Sequence, residues 1–282
     1  MNIYIVIPAY NEEAFIAKTL QSLVEQTFLP KRIVVVNDNS TDNTQKIIDS
    51  FSEKHALISS VLNKSEAIHI PGEKVINAFN KGFESLDNNY DIICKFDADI
   101  ILPKNYFEKL LNAFSLNNKV GIAGGNLYIK NDKTWVFENI SNKKKVRGPI
   151  KLYRKECFKE IGGLKKSIGW DTVDELLAQY QGWEIHTDES LHVKHLKPTG
   201  NAYTKASKHK QGEAFYLLRY GFWLSSIASA KLAFNKKSFL FFINTLKGYL
   251  KAKNKKLPFI VSEKEGVFIR KLRWDGIKKK LF

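Results

Sequence analysis

Ile92-Ile93-Cys94-Lys95-Phe96-Asp97-Ala98-Asp99 is the stretch on which the reading of this chain turns. Its first five residues are mostly apolar and read as a buried strand. Two carboxylates follow with only Ala98 between them. Such neighbours repel each other and lose hydration when partly buried, and a divalent cation relieves both costs. Oxygen ligands suit Mg²⁺ or Mn²⁺. A strand that ends in Asp-x-Asp therefore points to a site for a metal-bound diphosphate.

The flanking sequence alternates strand and helix signals. Apolar runs over Ile3–Ile7, Ile33–Val36, Leu57–Leu62, Asp91–Phe96 and Val120–Ala123 predict strands. Helical spacing predicts helices over Glu12–Gln26, a segment capped by Ser40 or Asp42 and running to Phe51, Glu73–Leu86 and Asn105–Phe114. That alternation predicts an α/β fold with a doubly wound, mostly parallel sheet. Ligands of such sheets bind at the carboxyl ends of the strands. Three polar clusters fall there: Pro8-Ala9-Tyr10-Asn11-Glu12, Asn37-Asp38-Asn39-Ser40 and Asp97-Ala98-Asp99. Beyond Gly125 the pattern loosens. Asn131–Arg147, with Lys143-Lys144-Lys145, reads as an exposed hairpin or loop, Ile150–Tyr153 as a strand and Thr172–Gln181 as a helix.

Charge divides the chain. Residues 1–200 hold 26 Lys and Arg against 25 Asp and Glu, whereas residues 201–282 hold 19 against 4. Almost all of the +16 net charge thus lies in the last third, which marks it as a segment that meets an anionic surface. Phe215–Phe234 has the length to span a bilayer. Arg219, Lys231 and three serines inside it argue against spanning. With Phe239–Leu250 and its lysine borders it suits helices lying in the headgroup plane, the alternative being packing on the core or on a second subunit. The lysines do not interleave with stacking aromatics, so nucleic acid is not expected as a partner. Cys94 and Cys157 form no Cys-x-x-Cys pair, which argues against structural zinc. The start, Met1-Asn2-Ile3-Tyr4, reads as a first strand without a basic leader. The expected setting is cytoplasmic, peripheral on the inner face of the membrane.

At these residues the chain resembles the family-2 glycosyltransferases of the GT-A fold. Ile5-Val6-Ile7-Pro8-Ala9-Tyr10-Asn11-Glu12-Glu13 resembles their opening strand and loop, and Val34-Val35-Val36-Asn37-Asp38-Asn39-Ser40-Thr41-Asp42 their Val-Asp-Asp-Gly-Ser-Thr-Asp stretch. Gly72-Glu73-Lys74 with Asn80 and Gly82 resembles a third nucleotide-contacting region, and Asp97-Ala98-Asp99 takes the place of the metal-binding acidic pair. The resemblance runs in order from residue 3 to about residue 200. It implies that Pro8, Ala9, Tyr10, Glu12, Asp38, Lys74, Asn80, Asp97 and Ala98 contact a nucleotide sugar. Asp38 would accept from a base imide or a ribose hydroxyl. Asp99 would ligate the metal and Asp97 would reach the metal or the ribose. Here Asn37 replaces the first acid of the second motif, and Asn39 replaces its glycine, a substitution that still tolerates the left-handed turn.

The resemblance also bears on the general base. Ser167-Ile168-Gly169-Trp170-Asp171-Thr172-Val173-Asp174-Glu175 occupies the place of the family's Glu-Asp-x-Asp motif. Counting back eleven residues from Gly182-Trp183 gives Asp171, with Asp174 as the reserve. An inverting transfer needs a carboxylate to take the acceptor hydroxyl's proton. The competing role for Asp171 or Thr172 is a helix cap. His195, in Leu191-His192-Val193-Lys194-His195-Leu196-Lys197-Pro198-Thr199-Gly200, would be a further metal ligand or simply a solvated loop histidine.

The expected activity is metal-dependent, inverting transfer of a sugar from a UDP, GDP or dTDP sugar to a hydroxyl of a glycan or lipid-linked acceptor. The expected domains are residues 1–205, catalytic, and 206–282, a basic helical extension. Sugar nucleotidyltransferases share a nucleotide-binding half but carry a Gly-rich basic loop after the first strand, where this chain has Pro8-Ala9-Tyr10-Asn11. A haloacid-type phosphatase wants Thr where Ile101 stands, and a dinucleotide fold wants Gly-x-Gly-x-x-Gly. The remaining alternative is a non-enzymatic basic protein of membranes or nucleic acid.

Overall fold

The structure, a computed structural model, describes residues 1–64, 72–140, 142–198 and 209–281. Thr199, Gly200 and the expected boundary at residue 205 lie outside the described residues. The chain forms two compact units, the first from the described residues of Met1–His69, Lys74–Leu164 and Gln181–Thr199. The second comprises those of Ile70–Glu73, Lys165–Tyr180 and Gly200–Phe282.

The first unit is built on one sheet. β1 (Ile3–Ala9), β2 (Arg32–Asp38), β3 (Ile58–Asn63) and β4 (Ile92–Phe96) are parallel, in the order β3-β2-β1-β4. β1, β2 and β4 bury nearly every side chain, as parallel strands covered on both faces must. α1 (Ile16–Val24), α2 (Thr44–Lys54) and α3 (Glu73–Glu84) make the crossovers. Beyond β4 the sheet is mixed. It contains the short β5 (Ile100–Ile101), β6 (Val120–Asn131), β7 (Thr134–Phe137), β8 (Ile150–Arg154) and β9 (Glu184–His195), with α4 (Tyr106–Leu116) and α5 (Lys155–Glu160) on its faces. β8 runs antiparallel between β4 and β6, β9 follows β6 in parallel, and β5 closes the edge antiparallel to β9.

The predicted strands and helices are present, with shifts that have local causes. α1 starts at Ile16, later than the spacing predicts, because Glu12 turns the chain through its carbonyl, which accepts from Phe15 and Ile16 N–H. Neither Ser40 nor Asp42 is the N-cap of α2; that position is Asn43. Asp42 Oδ1 instead accepts from the Thr44 N–H (3.0 Å) and hydroxyl (2.6 Å), satisfying the first turn from one residue further out.

The second unit is helical. It comprises α6 (Trp170–Tyr180), α7 (Lys210–Leu217), α8 (Phe222–Asn235), α9 (Phe239–Asn254) and α10 (Glu263–Leu281). The apolar run Phe215–Phe234 is not one helix, since Arg219 (φ 55°) and Gly221 (φ 76°) take left-handed conformations and break it. No helix among the described residues is long and apolar enough to cross a membrane. α7 and α9 touch backbone to backbone. A Cβ on Gly212 would lie 1.7 Å from the Thr245 carbonyl oxygen, and one on Gly248 would lie 2.0 Å from that of His209.

α8 is inside out. It buries Ser225 and Ser229, whose hydroxyls donate to the Gly221 and Ser225 carbonyls (both 2.6 Å), and leaves Trp223, Ile227 and Phe234 exposed on one stripe.

Candidate active site and metal centre

The carboxyl ends of three parallel strands, β1, β2 and β4, place the three polar clusters on one edge of the first unit. The loops after β1 and β2 are stapled together. Asn11 N–H donates to Ser40 Oγ (3.0 Å), Thr41 N–H to Asn11 Oδ1 (2.8 Å), Glu12 N–H to Thr44 Oγ1 (2.8 Å) and Asn43 N–H to Glu13 Oε2 (2.9 Å). Asn11 (φ 52°) and Asn39 (φ 64°) both adopt the left-handed turn, the conformation that glycine would otherwise supply at residue 39. Asn37, standing where the family has an acid, donates to Gln45 Oε1 (2.7 Å) and accepts from Ser40 N–H (3.0 Å). Asp38 is buried and its Oδ1 accepts from Asn63 Nδ2 (2.7 Å). Tyr10 is exposed, with the Lys74 ammonium 5.9 Å from its ring centroid. Pro8 and Asn80 are half-buried, and Ala9 is buried.

The acidic pair is held by its neighbours. Thr19 Oγ1 donates to the Ala98 carbonyl (2.7 Å) and accepts from Ile100 N–H (3.1 Å), so α1 pins the turn between the two carboxylates. Ala98 itself is buried. Lys95, buried mid-strand, forms an ion pair with Asp97.

His195 is not a solvated loop residue. It closes β9 and is paired in register with Ile100, the residue after Asp99. This register brings Asp97, Asp99 and His195 together, with one ligand atom of each within 4.8 Å of the others. His195 Nε2 stands 3.7 Å from Asp99 Oδ2, too far for a hydrogen bond.

The electrostatics of the cluster suit a cation. Burial, then repulsion from Asp97, pushes Asp99 up to about 7, against the opposing pull of His195. Burial acts to lower His195, but the hydrogen bond with Glu138 and the charges of Asp99, Glu138 and Asp97 outweigh it and raise its pKa. Glu12 is raised by burial despite its contact with Lys197 Nζ (2.6 Å). Its Oε2 is buried with no hydrogen-bond partner among the described residues. Two carboxylates and one imidazole fit a divalent ion that accepts oxygen and nitrogen donors, and such an ion would relieve the penalty that Asp99 carries when ionised.

Glu138, Arg147, Lys95 and Lys197 belong to this site and were not anticipated as parts of it. The segment expected to be exposed, Asn131–Arg147, is a β6–β7 hairpin and loop whose Glu138, Val146 and Arg147 are buried. Its lysine-rich composition masked them, and only the buried charge of Lys95 within an apolar strand signalled a partner for Asp97.

Asp171 and Asp174 lie on α6 in the second unit. The helix begins at Trp170, after Gly169 (φ 71°), whose carbonyl accepts from Thr172 N–H (2.7 Å). Neither Asp171 nor Thr172 is thus the N-cap. Asp171 is half-buried in the first turn, where the helix dipole favours an ionised carboxylate. Asp174 is 1% exposed, and its Oδ1 accepts from Glu175 N–H (2.6 Å). α6 is anchored within its unit by Tyr180, edge-on to Phe268 of α10 at 5.5 Å.

Residues 4–166 match the family described as Glycosyl transferase family 2. Among curated relatives, a probable glycosyltransferase, YdaM, of Bacillus subtilis (strain 168) is 36% identical over 130 residues, 45% of this chain and 30% of that protein. The poly-beta-1,6-N-acetyl-D-glucosamine synthase of Staphylococcus epidermidis is 25% identical over 199 residues, 63% of this chain and 44% of that protein. The chain thus spans less than half the length of these relatives. Among solved structures, residues 1–349 of S. aureus TarS share its fold with a TM-score of 0.57 at 17% identity, over 90% of this chain and 72% of that one. The mannosyltransferase PcManGT from Pyrobaculum calidifontis, solved with GDP-Man and Mn²⁺, aligns with a TM-score of 0.57 at 16% identity, over 100% of this chain and 81% of that one.

Proposed function

Since this chain belongs to glycosyl transferase family 2, we propose that it moves a sugar from a nucleoside-diphosphate sugar to a hydroxyl of a glycan or lipid-linked acceptor, with inversion and with Mn²⁺ or Mg²⁺. The observation that carries the reading is the Asp97, Asp99 and His195 donor set at the carboxyl edge of the parallel strands. In this reading Asp99 and His195 hold the metal, and Asp97, tied to Lys95, holds the metal or the ribose. Tyr10 covers the base, and Asp38, fixed by Asn63, accepts from base or ribose. Lys74 faces the diphosphate, while Pro8, Ala9, Glu12, Asn80 and Ala98 shape the walls. When bound, the metal offsets charge developing on the leaving diphosphate.

Asp171 takes the acceptor's proton. A general base must reach its substrate, and the half-buried Asp171 meets that need better than the enclosed Asp174. The second unit contributes a membrane-facing surface. The exposed stripe of Trp223, Ile227 and Phe234 is followed along the chain by exposed Phe239 and Leu240, with exposed Lys231, Lys236 and Lys237 among them. Aromatics with basic borders favour an anionic leaflet, which sets the protein on the inner face of the cytoplasmic membrane.

Thermal unfolding with UDP, GDP, dTDP and their sugars, each with and without Mn²⁺, tests the donor assignment. A ligand at about 100 times its Kd stabilises by roughly 2.7 kcal/mol. A shift that depends on Mn²⁺ in the wild type and vanishes in Asp99→Asn is expected. No shift with any diphosphate overturns the reading.

A further inference from the structure

Glu138 lies on the far side of β6 from His195. Its N–H donates to the Leu127 carbonyl of β6 (2.9 Å), whereas His195 pairs with Ile129 on the other edge of the same strand. Their side chains meet across it, with His195 Nδ1 3.1 Å from Glu138 Oε2. The same Oε2 accepts from Arg147 Nη1 at 3.3 Å. All three side chains are buried. A carboxylate beside a guanidinium stays ionised and can only accept. The proton of a neutral His195 therefore resides on Nδ1, and the Nε2 lone pair faces Asp99.

We propose that Glu138, clamped by Arg147, is a positioning residue that fixes the tautomer and ring orientation of His195 so that Nε2 serves as a metal ligand. This rests on the metal assignment made above for Asp97, Asp99 and His195. Carboxylates behind ligating histidines restrict the ring and raise its basicity, and their loss typically weakens metal binding about 10- to 100-fold. The hairpin that carries Glu138 and the loop that ends at Arg147 thus serve the metal centre, although neither supplies a ligand. Lys95 plays a parallel part from the other side by holding Asp97.

The test uses the full chain with Mn²⁺ and UDP, with GDP as a second arm. Free Mn²⁺ is measured by electron paramagnetic resonance, and the coupling of bound Mn²⁺ to a ¹⁴N nucleus by spin-echo modulation. Wild type should show the nitrogen coupling, and His195→Ala should lose it. Glu138→Gln should bind Mn²⁺ more weakly, and Glu138→Ala more weakly still, by about 10- to 100-fold. Glu138→Ala takes an ion-pair partner from the buried Arg147, which threatens folding. The double variant Glu138→Gln with Arg147→Met removes both charges, and its thermal unfolding without metal reports whether the fold is kept. A folded double variant with weakened Mn²⁺ and altered nitrogen coupling supports the proposal. Wild-type Mn²⁺ affinity and coupling in that variant overturn it while leaving the metal site standing. Wild type that binds Mn²⁺ without nitrogen coupling, or binds no Mn²⁺, overturns the proposal together with the role of His195 as ligand.

Discussion

The two units of this chain handle charge in opposite ways. In the first, the charges of the candidate site are paired, most of them out of water: Lys95 with Asp97, Arg147 with Glu138, His195 between Glu138 and Asp99, and the half-exposed Lys197 with Glu12. In the second, exposed lysines accompany an exposed apolar stripe, and residues 201–282 carry nearly the whole net charge. Matched, desolvated charges hold side chains in one geometry, as chemistry on a small ligand requires. Exposed surface charge acts over about a Debye length and selects a partner by its field. The comparison teaches that the excess charge of the whole chain says nothing about the site, where the balance is nearly even.

The largest expected effect tests whether the second unit also contributes chemistry. Asp171→Asn should reduce turnover by about 10²–10⁴-fold while leaving Mn²⁺-dependent diphosphate binding intact. Loss of turnover in Asp174→Asn but not in Asp171→Asn would move the base to the reserve position.

Next comes the mismatch left in the first unit when no metal is bound. The folded-state pKa of Asp99, about 7, lies above its ordinary 3.8. Its contribution to stability is therefore present below about 3.8 and lost as pH rises through about 7. In metal-free protein, Asp99→Asn should raise the unfolding temperature at pH 8, where the wild-type carboxylate carries its whole penalty of a few kcal/mol at most, and raise it clearly less at pH 5. Equal effects at both pH values would show that Asp99 ionises freely in the fold.

A smaller effect is expected at the surface of the second unit. Each lysine near an anionic leaflet contributes about 1 kcal/mol. Lys236→Ala with Lys237→Ala should thus weaken binding to anionic vesicles roughly 30-fold at low salt, with Trp223→Ser lowering it further. Co-sedimentation of the full chain is the appropriate measurement, because Lys165–Tyr180 groups with the helices of the second unit and a cut near residue 205 would divide that unit. Binding indifferent to salt and lipid charge would assign the stripe to a protein partner.

The smallest concerns the loop after β2. Asn39→Ala, at φ 64°, should destabilise by about 1 kcal/mol in denaturant unfolding, and Asn39→Gly should be nearly neutral.

Much of this was legible in the sequence because it is local. Apolar runs of the length of β1, β2 and β4 predict buried parallel strands, and the residues just past a strand's carboxyl end are placed by chain continuity alone. Asp97, Asp99 and Asp38 needed only that. The break at Arg219 and Gly221 was less visible, since composition registers that Phe215–Phe234 is apolar but not that two residues leave the helical region. The inward-facing serines of α8 follow from neighbours that no single helix specifies.

What the amino-acid order determined by itself is the α/β alternation, the shared rim of three polar clusters, the candidate acids and the separation of charge along the chain. Each depends on residues within a few positions of one another, where backbone period and side-chain type suffice. Tertiary structure alone decided that His195 joins the acidic pair, through the β5–β9 register, and that Glu138 and Arg147 stand behind it. The β5–β9 register joins residues 95 positions apart and the His195–Glu138 contact joins residues 57 apart. They depend on which strand pairs with which and in what register, and burial of the whole sheet selects that pairing.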